Sequence, residues 1–127
     1  MNPLAHNRAL IHRLAEIVND RNLDALPEVA TGQIAREAER WIGPFRNSFP
    51  DFRMDVVDVI TEADKVVGHF KCSGTHDGEW RGIPATGRRF EGVDEIYIFR
   101  VEQSKLCSAL AVVEDNLTRM RHLGLAE

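Results

Sequence analysis

The sequence has only two cysteines, Cys72 and Cys107, far apart and in no CxxC or Cys/His spacing. That argues against a disulfide framework or a zinc site, and it leaves two reduced thiols in strand-like segments as small buried hydrophobes. Long apolar runs are missing, so no stretch approaches the roughly 20 residues that a membrane helix needs. The opening MNPLAHNRALIHR contains no continuous apolar stretch with a small-residue cleavage site, and a cytoplasmic location is expected. No Lys/Arg run occurs. With 16 basic against 20 acidic residues and a net charge of −4, nucleic acid and anionic membrane surfaces are poor partners.

Several motifs are missing as well. There is no P-loop, no GxGxxG after a strand, no GxSxG elbow and no HExxH. Of the five histidines, His6, His12, His69, His76 and His122, none pairs with another at ligand spacing beside a carboxylate cluster, so no metal site is expected. What remains is one domain over 1–127, with 43% hydrophobic and 28% charged residues, long enough to bury a core unaided.

The apolar period changes once, near Pro50. Before it, Leu4, Leu10, Ile11, Leu14, Ile17 and Val18 form one helical stripe ending near Asn19–Asn22. Asp24 is expected to cap a short helix with Pro27 in its first turn. Ile34, Ala38, Trp41, Ile42, Phe45 and Phe49 mark a further helix, with a kink or break expected at Gly43-Pro44. After Pro50 the pattern becomes strand and turn. Strands are expected over Phe52–Ile60, Lys65–Thr75, Arg89–Val101 and Leu106–Val113, with a Gly/Pro-containing loop at 77–88 and a last helix over Asn116–Leu123. Helices first and a strand meander afterwards predict an α+β fold. Its antiparallel sheet should curve, with the N-terminal helices across the concave side enclosing an apolar pocket.

Asp115 is the most informative carboxylate. It follows an apolar strand and shares the parity of Ala109, Ala111 and Val113. If that face looks into the pocket, desolvation would raise its pKa toward working pH, as an acid–base residue requires. An aspartate directly before a short helix is equally a favoured N-cap, and spacing alone favours the cap. His76, in Gly74-Thr-His-Asp-Gly78, is a second candidate, a hydrogen-bonding partner for a ligand carbonyl; its plainer reading is a surface turn. Trp41, Phe45, Trp80 and Ala111 are the candidate pocket walls, in a composition that a core would share.

Four stretches resemble the SnoaL-like polyketide cyclases of the NTF2-like superfamily. They are Phe49-Pro-Asp-Phe52, Ser73-Gly-Thr-His-Asp-Gly78, Gly82-Ile-Pro-Ala-Thr-Gly-Arg88, and Asp115 followed by His122-Leu-Gly124. The resemblance implies a cone-shaped α+β fold and a homodimer or higher oligomer. It also implies an apolar small-molecule ligand handled without metal or organic cofactor. In such cyclases an aspartate removes an acidic proton beside carbonyls and the enolate closes a ring by aldol addition; Asp115 matches that aspartate. The chain departs in having Ala109-Leu-Ala111 where members often read E-H-W, and in its short Leu26–Gly32 segment. Two alternatives stand beside this reading, a non-catalytic small-molecule-binding module and an epoxide hydrolase-like site. The latter would need Asp94, Asp115 and Arg100, although Asp94 and Arg100 lie about 20 Å apart along one strand.

Overall fold

The computed structural model describes residues 2–127. Helix α1 (Pro3–Asn19) begins where the Asn2 side chain accepts the Leu4 amide at 2.9 Å. Pro3 fills the first position, whose amide would have had no partner. Leu10, Ile11, Leu14, Ile17 and Val18 are buried along one stripe, while Leu4 in the first turn is exposed. Each buried aliphatic side chain contributes roughly 1.5–3 kcal/mol. At the far end, the Asn19 side chain bonds both the amide and the carbonyl of Met54, which pins α1 to the first strand.

The short helix is a 3-10 turn over Leu23–Glu28. It begins earlier than expected: Asn22, not Asp24, stands at its N-cap, and Pro27 lies inside. The tighter coil accounts for this, because its bonds close over three residues and the Ala25 amide already reaches the Asn22 carbonyl at 3.0 Å. Helix α2 runs unbroken over Gly32–Ser48, so the break expected at Gly43-Pro44 does not occur. Pro44 deprives only the Arg40 carbonyl of its intrahelical donor. Both residues are exposed, so water can fill that place.

Four strands follow: β1 (Arg53–Thr61), β2 (Lys65–Thr75), β3 (Arg89–Glu102) and β4 (Lys105–Glu114). They pair antiparallel in the order β1-β2-β3-β4, each next to its sequence neighbour. Irregularities in register occur at Val56/Asp58, Cys72/Gly74, Ile98/Phe99 and Arg100/Val101. Bulges bend a strand and increase its twist, and four of them curl this sheet. Helix α1 packs across β1, α2 along β4, and the last helix α3 (Asn116–His122) against β3. The α+β architecture is therefore the one expected, with α2 covering the concave side.

The 76–88 loop is tied at its root by the His76 amide to the Arg88 carbonyl (2.8 Å) and by the Gly87 amide to the His76 carbonyl (2.9 Å). Gly78 runs against the end of α2 so closely that a Cβ there would lie 2.2 Å from the Asn47 carbonyl oxygen. Only glycine fits at that position.

Candidate active site

Between α2 and the curved sheet lies a cavity of about 290 Å³. Helix α2 lines it with Ile34, Ala38, Trp41, Ile42, Phe45 and Arg46, and α1 with Leu14 and Val18. The sheet contributes Met54 from β1, Glu95, Tyr97 and Phe99 from β3, and Ala109, Val112 and Glu114 from β4. Nearly all of this wall is apolar. The exceptions are Arg46 at one place and the cluster of Glu95, Tyr97 and Glu114 at another.

Glu95 is 1% exposed. Its Oε1 accepts the Tyr97 hydroxyl at 2.5 Å, and its Oε2 accepts from the guanidinium of Arg119, which is fully buried. Arg119 lies over the rings of Phe90 and Phe45, 4.7 and 5.3 Å from their centroids. It also donates to Asn116 Oδ1 and stands 3.9 Å from Glu114 Oε2. Two carboxylates are thus joined by one arginine at the cavity wall. Burial holds the Glu95 carboxyl above the ordinary glutamate range, although Arg119 and the Tyr97 hydroxyl act in the opposite direction. Burial, then the neighbouring Glu95, holds the Tyr97 phenol well above its usual range, so Tyr97 remains a donor. The Cys72 thiol, fully buried, is likewise pushed up by burial and is not a nucleophile.

Asp115 does not line this cavity. It is the N-cap of α3: its carboxylate accepts the Thr118 amide at 3.1 Å and the Thr118 hydroxyl at 2.7 Å. Those hydrogen bonds hold it below the ordinary aspartate range, the reverse of the rise that a pocket environment would cause. The expected parity fails at one residue. Ile98 pairs with Ala111 and Phe99 with Ala109, so Leu110 is an extra residue in β4. Beyond it the positions that line the cavity become Val112 and Glu114, opposite Tyr97 and Glu95, while Val113 is outside the lining. A single unpaired residue moves every later side chain to the other face. For the same reason Ala111 is absent from the lining.

The other expected residues divide. Trp41 and Phe45 do line the cavity. Trp80 is buried in the core instead, edge-on to Phe49 at 5.5 Å between centroids. His76 is not a surface residue; it is fully buried, and it too lies away from the cavity lining. Its Nδ1 lies 3.0 Å from the Thr86 hydroxyl and accepts the Thr86 amide at 3.3 Å, so it staples the 76–88 loop. Asp94 lies on the outer face, 2.8 Å from both His69 and Lys71. Among the described residues, no three or more His, Cys, Asp or Glu side chains are grouped so as to hold a metal ion.

Sequence reasoning missed Glu95 and Arg119. Glu95 did carry a signal: it shares the parity of Val93, Tyr97, Phe99 and Val101, a carboxylate on the apolar face of its strand. Arg119 carried none: the apolar residues of the last helix are Leu117, Met120 and Leu123, and their spacing points to a face without it. In fact Leu117 is 52% exposed, and Arg119 and Leu123 are the buried pair one turn apart.

A family model described as SnoaL-like polyketide cyclase matches residues 8–123. The chain belongs to that family. Several solved structures share the SnoaL-like fold. TsrD from Streptomyces laurentii superposes with a TM-score of 0.85 at 24% identity, covering 95% of this chain and 96% of its own. IdmH from Streptomyces antibioticus, a candidate polyketide cyclase, gives 0.75 at 26% identity, covering 93% and 98%. A SnoaL-like polyketide cyclase from Agrobacterium tumefaciens gives 0.75 at 18% identity, covering 90% and 95%. Comparison with curated proteins gives no match. In this SnoaL-like chain, among the described residues, no helix is long and apolar enough to cross a membrane.

Proposed function

We propose that this SnoaL-like protein performs acid–base chemistry, without metal or organic cofactor, on an apolar carbonyl compound, with Glu95 as the acid–base residue. The observation that carries this reading is a carboxylate 1% exposed at the wall of a largely apolar cavity, bound by the Tyr97 hydroxyl. Removed from water, such a carboxylate is a stronger base than in solution. It would take a proton from carbon beside a carbonyl, leaving an enolate, and return it after bond formation or double-bond migration. The single Tyr97 O–H is given to Glu95 Oε1 while that group is the base; once Glu95 takes the proton, the phenol is released to turn to the developing oxygen charge. Arg119 is a positioning residue: it fixes the Glu95 carboxylate from behind. Asp115 acts one step further back, by starting the helix that carries Arg119. Assembly into a homodimer or larger oligomer in the cytoplasm is part of the proposal; the exposed Leu110, Val113 and Leu117 support the assembly.

The test needs no knowledge of the natural substrate. 2-Tetralone has an acidic C–H between a ketone and a ring, and its exchange with deuterium in D2O can be followed by NMR. Exchange above buffer rate, lost in Glu95→Gln and retained in Asp115→Asn, is the expected result. Loss in Asp115→Asn with full exchange in Glu95→Gln would return the chemistry to Asp115. Binding with no exchange would make the protein a non-catalytic binding module.

The pair of carboxylates joined by Arg119 also favours a second reading, water activation for epoxide opening. The groups would then be Glu95, Glu114 and Arg119, and not Asp94, Asp115 and Arg100. Diol formation from indene oxide that needs both glutamates would select it.

A further inference from the structure

Among the described residues, Arg46 is the one cation in the cavity lining, and it borders two spaces. It lines the apolar cavity, and it also lines a shallow polar depression shared with Arg21, Asn22, Asp24 and Glu39. The half-buried guanidinium donates from Nη2 to the Val18 carbonyl at 2.6 Å. Among the described residues, no carboxylate lies within ion-pair distance of it. Glu39 acts on it only at longer range, and the nearby Arg21 guanidinium opposes it. Burial and Arg21 both disfavour the charge on Arg46, and an anion placed there would offset them by direct attraction. The other arginine at the cavity, Arg119, already has its carboxylate. Arg46 still has donors free, and a guanidinium fork fits a planar carboxylate in two parallel bonds.

The cavity sets a size. A void of about 150 Å³ accepts one benzene ring, so 290 Å³ is room for about two fused rings. It lies at the lower edge of the usual ligand-pocket range of about 300–1,000 Å³. We infer that the ligand is an apolar acid of one or two rings whose carboxylate pairs with Arg46, while its reacting carbon lies toward Glu95. The inference deepens the proposed function and rests on the same cavity being the site. Arg46 therefore selects which carbonyl compounds enter and in which orientation; it takes no part in the proton transfer.

The test compares 2-naphthoate with its neutral isostere 2-naphthamide by isothermal titration calorimetry. The wild type is expected to bind the acid about tenfold more tightly than the amide, the worth of one charge-assisted pair. Arg46→Gln should remove that preference through weaker acid binding alone, and Arg46→Lys should restore part of it. Equal affinities in the wild type, or an acid preference that survives Arg46→Gln, would overturn the inference. The wild-type comparison stands even if a variant folds poorly. The readout is binding, so it is separable from the proton chemistry. Acid preference without tetralone exchange would leave the ligand class standing and remove Glu95 as base, and the converse result would do the opposite.

Discussion

Two carboxylates stand at the same corner of the sheet, and the fold treats them in opposite ways. The Asp115 amide reaches the Asp94 carbonyl at 3.0 Å, so it sits beside β3 one residue from Glu95. Asp115 faces out, satisfied by two bonds from Thr118, and is held acidic. Glu95 faces in, among rings and aliphatic chains, and is held toward its neutral form. Their shared neighbour is α3, which begins at Asp115 and delivers Arg119 to Glu95. The comparison teaches that sequence position relative to a family motif and position relative to a cavity are separate facts. Here the motif aspartate supports the helix whose arginine serves the cavity carboxylate.

The sharpest way to break this arrangement is at the shared arginine. Arg119→Leu leaves Glu95 buried without its counter-charge and should cost about 3–5 kcal/mol. Chemical denaturation would read this directly, and a loss below about 1 kcal/mol would show that Glu95 is not held by the pair. Removing the carboxylate itself is a milder injury to the fold but not to the chemistry. Glu95→Gln should slow tetralone exchange by roughly 10²–10⁴-fold, the usual worth of a positioned acid–base group.

The pH dependence separates the two carboxylates without any mutation. The proposed mechanism requires the basic form of Glu95, whose pKa lies above the ordinary glutamate range, so activity should fall on acidification above that range. Were Asp115 the base, activity would persist to below the ordinary aspartate range. The smallest expected effect is on stability. The pKa of Asp115 is depressed, so its cap stabilises fully above the unfolded value of about 3.9 and loses that contribution as pH falls through the lower folded value. Asp115→Ala should therefore lower the melting temperature slightly at neutral pH and hardly at all in strong acid. An unchanged melting temperature at neutral pH would deny the cap any role.

Much of the architecture was legible from the residues. The period change at Pro50, the stripe of α1 and the four strands lie close to where spacing put them, because helical and strand periodicities record burial directly. Trp41 and Phe45 were legible as one helical face, which lines the cavity, but composition did not separate a pocket wall from core. The rest depended on contacts that no local pattern records. Proline chemistry predicts a kink or break at Gly43-Pro44, but α2 is unbroken there, because the exposure of Pro44 and Arg40 leaves the lost bond to water. Nothing local marks Arg119 for burial, which is decided by Glu95, Phe45 and Phe90, all distant in sequence. Register counting along β4 failed at Leu110, since a bulge is settled by the partner strand.

That extra residue in β4 has a consequence for how such a protein can change. The inward or outward fate of Val112, Val113, Glu114 and Asp115 depends on a count as much as on identity. Gaining or losing one codon before Ala111 would reassign all four between ligand and water at once, with none of them substituted. A one-residue change in the length of that strand would therefore exchange which acidic side chain faces the cavity, Glu114 or Asp115, with neither of them substituted.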